Sequence, residues 1–231
     1  MTYREILNKY KQICINKNLE IEAIKILILE LSNLDGASFL AHFDDELSLE
    51  QISMLEKAIS KYVNEFIPVQ QILGYTYFYG YKIKVNKDVL IPRCETEELV
   101  GYALEYYDKV FKGKKVNVCD IGTGSGAISI ALSKEEPNMK VTAVDISKEA
   151  LLVAKLNALE NNANITFYEG DLLSPLIREN LKFDILVSNP PYIAYDDEVD
   201  PLVVKNEPHL ALFANDLGME CYDRILKDAH K

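Results

Sequence analysis

The sequence predicts an α/β protein: a mainly parallel, doubly wound sheet preceded by a small all-helical region. Three observations carry that prediction. Apolar residues recur at helical period through the first third of the chain. From Val89 onward, short β-branched runs alternate with helical segments. A glycine-rich loop joins the first of those runs to a helix.

Thr2 and Glu5 have the spacing of a capping box, and Tyr3, Ile6, Leu7, Tyr10 and Ile13 repeat at helical period behind it. A second helix is predicted from about Glu20 to Asn33, with Ile21, Ile24, Leu27, Ile28 and Leu31 on its buried face. A third starts at Ser48, with Gln51 in the capping-box position and Ile52, Leu55, Ile59 and Val63 as its stripe. Residues 1–66 are therefore expected to form an N-terminal helical domain. With seven basic and eleven acidic residues it is net negative, which argues against a nucleic-acid-binding arm. Pro68 breaks the helical pattern. Tyr75 to Val85 is dense in aromatic and β-branched residues around Gly80 and predicts a β-hairpin, so residues 67–88 read as a hairpin linker. Residues 89–231 form the expected second domain. Its helices are predicted at Glu95–Asp108, Gly126–Lys134, Lys148–Asn161 and Gly218–Asp228. Its strands are predicted at Val116–Asp120, Val141–Asp145, Ile165–Tyr168 and Phe183–Ser188.

Composition narrows the function classes. The 231 residues carry a formal net charge of -11, which provides no broad positive surface for nucleic acid, so a protein partner or small ligand is expected. The densest apolar stretch, Ile26 to Leu29, is bounded by Lys25 and Glu30, far short of a bilayer span, and Met1 to Tyr10 does not resemble a secretory signal. No membrane partner is expected. Cys14, Cys94, Cys119 and Cys221 lie far apart, away from clustered histidines. That pattern predicts reduced thiols in the cytoplasm and no structural metal. His42, His209 and His230 are isolated and read as surface or structural groups.

Val116-Asn-Val-Cys-Asp120 runs into Ile121-Gly-Thr-Gly-Ser-Gly-Ala127 and then a helix. Glycines at such a turn can take positive φ and bring the backbone close to a ligand, while the helix start offers free N–H groups. The spacing also satisfies the loose dinucleotide fingerprint. Asp145 ends the next strand, where a carboxylate can accept from ribose hydroxyls, and Asp171 follows the third, where it can meet an adenine. A nicotinamide enzyme and an S-adenosylmethionine enzyme would both use the first carboxylate, so the fourth strand has to decide between them.

That strand leads into Asn189-Pro190-Pro191-Tyr192. The prolines fix φ and lack N–H donors, so the turn can present acceptors. A planar nitrogen is a poor nucleophile because its lone pair is delocalised. The Asn189 side-chain oxygen and the Pro190 carbonyl could hold its two hydrogens and aim it at an activated methyl group, with Tyr192 packed on the flat group.

With these residues in view, the chain resembles the peptide chain release factor glutamine methyltransferase family, within the Rossmann-like class I methyltransferases that use S-adenosylmethionine. The resemblance covers nearly the whole chain. It rests on Leu90-Ile-Pro-Arg-Cys-Glu-Thr-Glu97, Asp120 to Ala127, Asp145-Ile-Ser147, Ser188 to Ile193 and Glu207-Pro208. It implies methylation of the glutamine amide in the Gly-Gly-Gln motif of class I peptide chain release factors, with S-adenosyl-L-homocysteine as co-product. It further implies cofactor contacts from Gly122, Thr123, Gly124, Ser125, Gly126, Asp145, Asp171, Leu172 and Asn189. Asn189, Pro190, Pro191 and Tyr192 are implied at the substrate, with Asn189, Pro190 and Tyr192 catalytic. By the same resemblance the N-terminal helices help to hold the release factor.

Two departures stand out. Cys94 occupies a position where the family usually has proline. The chain also ends at Lys231, before strands with which resembling proteins complete their sheet, so a C-terminally truncated methyltransferase with an exposed strand edge is expected. Such an edge predicts reduced stability or self-association, which light scattering would report. The rival readings are a nucleic-acid amino-methyltransferase acting on adenine or guanine, disfavoured by charge, and a non-catalytic remnant that binds cofactor and partner. A nicotinamide dehydrogenase leaves Asn189 to Tyr192 unexplained.

Overall fold

In the computed structural model, which describes residues Met1–Lys231, the capping signals of the first third are realised as hydrogen bonds. Thr2 Oγ1 accepts from the Glu5 amide at 3.2 Å and the Glu5 carboxylate accepts from the Thr2 amide at 3.0 Å, opening α1 (Tyr3–Lys17). Helix α2 (Glu22–Ser32) stops at Asn33, whose left-handed backbone ends the helix. Asp35 caps the six-residue α3 (Gly36–Ala41), which is too short to print a periodic stripe in the sequence. Ser48 and Gln51 form the expected capping box of α4 (Leu49–Glu65). Pro68 then starts a short α5 (Val69–Leu73), because a residue without an N–H loses nothing at a helix start. The predicted stripe residues Ile6, Ile24, Leu27, Ile28, Leu55, Ile59 and Val63 are all buried. These helices belong to a unit spanning Met1–Gly74, and Tyr75–Lys231 form a second unit.

The second unit opens with the hairpin β1 (Tyr75–Phe78) and β2 (Tyr81–Lys84). Tyr79 at φ 51° and Gly80 at φ 81° make its two-residue turn, the conformation whose twist matches that of the flanking strands. Phe78, Ile83 and Val85 are buried in the same core as Val100, Tyr107, Ile130 and Val141, so the hairpin's inner face is part of this unit's interior. The remaining elements alternate. In order they are α6 (Glu95–Val110), β3 (Val116–Ile121), α7 (Ala127–Glu135), β4 (Met139–Asp145), α8 (Lys148–Glu160), β5 (Ile165–Glu169), α9 (Ser174–Arg178), β6 (Ile185–Ser188), α10 (Pro201–Asn206) and α11 (Glu220–Asp228). Short 3-10 turns cover His209–Ala211 and Asp216–Gly218.

The sheet is parallel throughout, in the order β5-β4-β3-β6. The expected doubly wound α/β architecture is therefore present, with β5 and β6 as its edges. The chain steps from β3 outward to β4 and β5, then returns to the other side of β3. That reversal opens a crevice at the carboxyl ends of β3 and β6, where open α/β sheets place their ligands. Of β3's six residues only Asn117 is exposed, as a central strand covered on both faces requires.

Candidate functional site

Ile121 pairs with Ser188, and Ser188 Oγ donates to the Ile121 carbonyl at 2.7 Å, so the glycine loop and Asn189–Tyr192 leave adjacent strands side by side. The loop is anchored at its start: the Gly122 and Thr123 amides donate to the Val144 carbonyl at 2.8 and 3.0 Å. Gly122 and Gly124 take φ of 72° and 55°, and a Cβ built on either would meet nothing within 4 Å. Bare, left-handed backbone therefore faces a cavity of about 360 Å³, whose walls include Gly122, Gly124, Asp145, Leu172, Asn189 and Pro190. Asp171 and Pro191 line it as well.

Asp145 does more than the sequence indicates. Its Oδ2 accepts from the Gly124 amide at 2.7 Å and its Oδ1 from the Ser147 amide at 2.9 Å, so it ties the glycine loop to the end of β4 while bordering the cavity. Burial raises its pKa and these amide donors pull the other way. Asp171 is engaged by the Arg224 guanidinium from α11. Thr123, Ser125 and Gly126 stand behind the cavity wall. Thr123 Oγ1 donates to Asp120 Oδ2 at 2.6 Å, the Ser125 carbonyl accepts from Asn157 Nδ2 at 2.9 Å, and Gly126 lies against Ala154. Asp120 is fully buried. Its Oδ2 also accepts from Ser129 Oγ at 2.6 Å, its Oδ1 has no partner, and burial pushes its pKa up to about 6.

A second cavity, of about 510 Å³, shares Asn189 and Pro190 with the first and is also bordered by Arg93, Thr96, Tyr192 and Tyr222. Pro190 and Tyr192 border this second cavity, Pro191 borders the first, and Tyr192 is 60% exposed.

Several supports of this turn join residues distant along the chain, so their pairings cannot be read from the sequence, although Glu207 and the Leu90–Glu97 segment stand out there as part of the family pattern. Ile193 exchanges backbone hydrogen bonds with Leu212 and Ala214 at 3.0 and 2.9 Å. Gly218, at φ 84°, lies so close to Tyr192 that any side chain would overlap the Tyr192 carbonyl. Asn189 Nδ2 donates to Thr96 Oγ1 at 3.2 Å. The buried Glu207 accepts from the Ile91 amide at 2.9 Å and pairs with Arg93 at 2.5 Å, bracing the segment that contributes Leu90 to both cavities. Asn157, fully buried, spans the Lys84 backbone and the Ser125 carbonyl and so couples the hairpin to the glycine loop. Cys94, where the sequence departs from the family pattern, is exposed immediately before α6 and makes no side-chain cap.

Known proteins bear on this geometry. The methyltransferase small domain family model matches residues 105–206. Release factor glutamine methyltransferase of Bacillus cereus is 42% identical over 206 residues, 88% of this chain and 72% of that protein. The Bacillus subtilis protein of the same name is 42% identical, covering 90% of this chain and 73% of its own length. The Streptococcus pneumoniae one is 38% identical, covering 99% and 80%. Among solved structures, the human Mettl16 catalytic domain superposes with a TM-score of 0.52 at 19% identity, covering 70% of this chain and 62% of that one, a likeness of fold. Identity at this level over most of both chains, on a class I methyltransferase fold, means that the chain belongs to the release factor glutamine methyltransferase family.

Proposed function

We propose that this protein methylates the side-chain amide nitrogen of the glutamine in the Gly-Gly-Gln motif of class I peptide chain release factors, with S-adenosylmethionine as donor. The observation that carries this reading is the wall formed by Asn189 and Pro190, which belongs to both cavities. A donor in the first cavity and an acceptor amide in the second would meet there.

The first cavity fits such a donor. Bare backbone at Gly122 and Gly124 allows close approach, and the cavity supplies carboxylates at Asp145 and Asp171 for ribose hydroxyls and an adenine amine, with Leu172 as an apolar contact. When bound, S-adenosylmethionine supplies a methyl group on a positively charged sulfur. The chain's own residues would do the rest. Asn189 Oδ1 and the Pro190 carbonyl accept the two hydrogens of the glutamine amide, which fixes the nitrogen in line with the methyl carbon. The same oxygens stabilise positive charge as it develops on that nitrogen, so no strong base is needed and the proton leaves after transfer. Tyr192 covers the flat amide and excludes water.

Residues 1–66 would hold the release factor and residues 89–231 would carry the chemistry; the 67–88 stretch expected as a linker is divided between the two units, its hairpin packed in the core of the second. The net charge of -11 favours a protein acceptor over nucleic acid, and no helix is long and apolar enough to cross a membrane. Four free cysteines suit the cytoplasm.

The test is methyl transfer from labelled donor to a purified release factor, beside a factor whose motif glutamine is replaced and beside bare DNA and RNA. Label on the intact factor alone is expected. Asn189→Ala should lower kcat on the order of a hundredfold. Label on nucleic acid, or an unchanged kcat, would overturn the reading.

A further inference from the structure

An asparagine side chain presents an acceptor and a donor group at nearly interchangeable places, and a half-turn of the amide exchanges them. Asn189 can accept a glutamine hydrogen only when Oδ1, and not Nδ2, faces the shared wall of the two cavities. With Nδ2 there, two N–H groups would oppose each other.

The side chain that holds this amide comes from another element. Asn189 Nδ2 donates to Thr96 Oγ1 at 3.2 Å, across 93 positions of sequence, and Oδ1 accepts no hydrogen bond from the chain. Thr96 is the second residue of α6 and borders the second cavity together with Asn189 and Pro190. Its own place is fixed. The Thr96 amide donates to the Arg93 carbonyl at 3.1 Å, Arg93 is held by the buried Glu207 at 2.5 Å, and the neighbouring Glu97 carboxylate accepts from the Tyr79 amide at 2.7 Å. A β-branched threonine in a helix is confined to two χ1 wells, and the one seen here places the hydroxyl against Asn189.

We infer that Thr96 is a positioning residue: its hydroxyl oxygen accepts from Asn189 Nδ2 and fixes the plane of that amide, with Oδ1 left for the acceptor amide. The inference rests on the methyl-transfer reading above. Thr96 acts through Asn189.

Thr96→Val keeps the shape and removes the hydroxyl, while Thr96→Ser keeps the hydroxyl and removes a methyl. Thr96→Val should lower kcat on the order of tenfold with the release-factor KM, S-adenosylmethionine affinity and urea midpoint unchanged, because the loss is of orientation in the transition state. Thr96→Ser should restore most of that loss. In an Asn189→Ala background, Thr96→Val should cost nothing further, since there is no amide left to orient. A wild-type kcat for Thr96→Val, an equal loss for Thr96→Ser, or an undiminished loss in the Asn189→Ala background would each overturn the inference while leaving the function standing. If Asn189→Ala alone left kcat unchanged, the reading of the site would fail and the role of Thr96 with it.

Discussion

Gly218→Ala tests whether the Asn189–Tyr192 turn is held by contact rather than by its own stiffness. Gly218 has φ of 84°, and a methyl placed on it would overlap the Tyr192 carbonyl oxygen and lie 2.8 Å from the carbonyl carbon. Non-bonded carbons rest at about 3.5–4.0 Å, so the two segments must part by about 1 Å. The left-handed backbone adds roughly 1–2 kcal/mol for any residue with a Cβ, and forcing a methyl into a filled site about 1–3 kcal/mol more. A stability loss of about 2–5 kcal/mol is expected in urea unfolding. Tyr192 cannot move alone, because Ile193 is locked between Leu212 and Ala214. The displacement therefore passes back toward Pro190 and Asn189. A misplacement of about 1 Å in a positioning group costs on the order of a hundredfold in rate, so kcat for methyl transfer should fall by that order in the fraction that remains folded. A Gly218→Ala protein with an unchanged urea midpoint and kcat would mean that the Tyr192 carbonyl yields freely, and the reasoning would be refuted.

Three further outcomes follow from buried polar groups. Burial places the Asp120 pKa at about 6, above the unfolded value near 4, so native protein binds the extra proton and stability falls as pH rises through that window; between pH 5 and 7.5 this group should remove about 1.4 kcal/mol. Urea midpoints measured across that range should show the decline in wild type, and Asp120→Asn should flatten it; an equal slope in both would exclude Asp120 as its source. Asn157→Ala strands the Lys84 amide, the Lys84 carbonyl and the Ser125 carbonyl, and should cost about 2–4 kcal/mol by chemical denaturation together with weaker S-adenosylmethionine binding, because the glycine loop loses its brace. Glu207→Ala leaves the Ile91 amide unpaired and Arg93 without its partner; since Arg93 is partly exposed, a loss of about 2–3 kcal/mol is expected, and Glu207→Gln, which keeps an acceptor for Ile91, should recover part of it.

Much of this architecture is legible along the chain because its signals are local. Both capping boxes involve residues three apart, and each formed as the spacing predicts. The hairpin announced itself through aromatic density around Gly80, and the parallel sheet through alternating strand and helix segments. The short helices α3, α5, α9 and α10, of five or six residues, were not legible, because a helix under two turns prints no periodic stripe. Of the residues named in advance for the cofactor, Gly122, Gly124, Asp145, Asp171, Leu172 and Asn189 border one cavity. Thr123 and Ser125 alternate with the cavity-lining Gly122 and Gly124 and face away from it, and Gly126 is turned against Ala154 of α8.

The sequence by itself determined which residues could do chemistry: a glycine turn for close approach, carboxylates at strand ends, and an amide with two prolines and a tyrosine after a buried strand. These follow from residue type and short spacing, which need no fold to be read. The tertiary structure alone decided how they are held. Thr96 reaches Asn189 across 93 positions and Glu207 reaches Ile91 across 116. Gly218 leaves room for a carbonyl 26 residues before it. Such pairings arise only once the strands align and the helices pack against them, because nothing in the local chain specifies which distant partner a hydroxyl, a carboxylate or a missing side chain will meet.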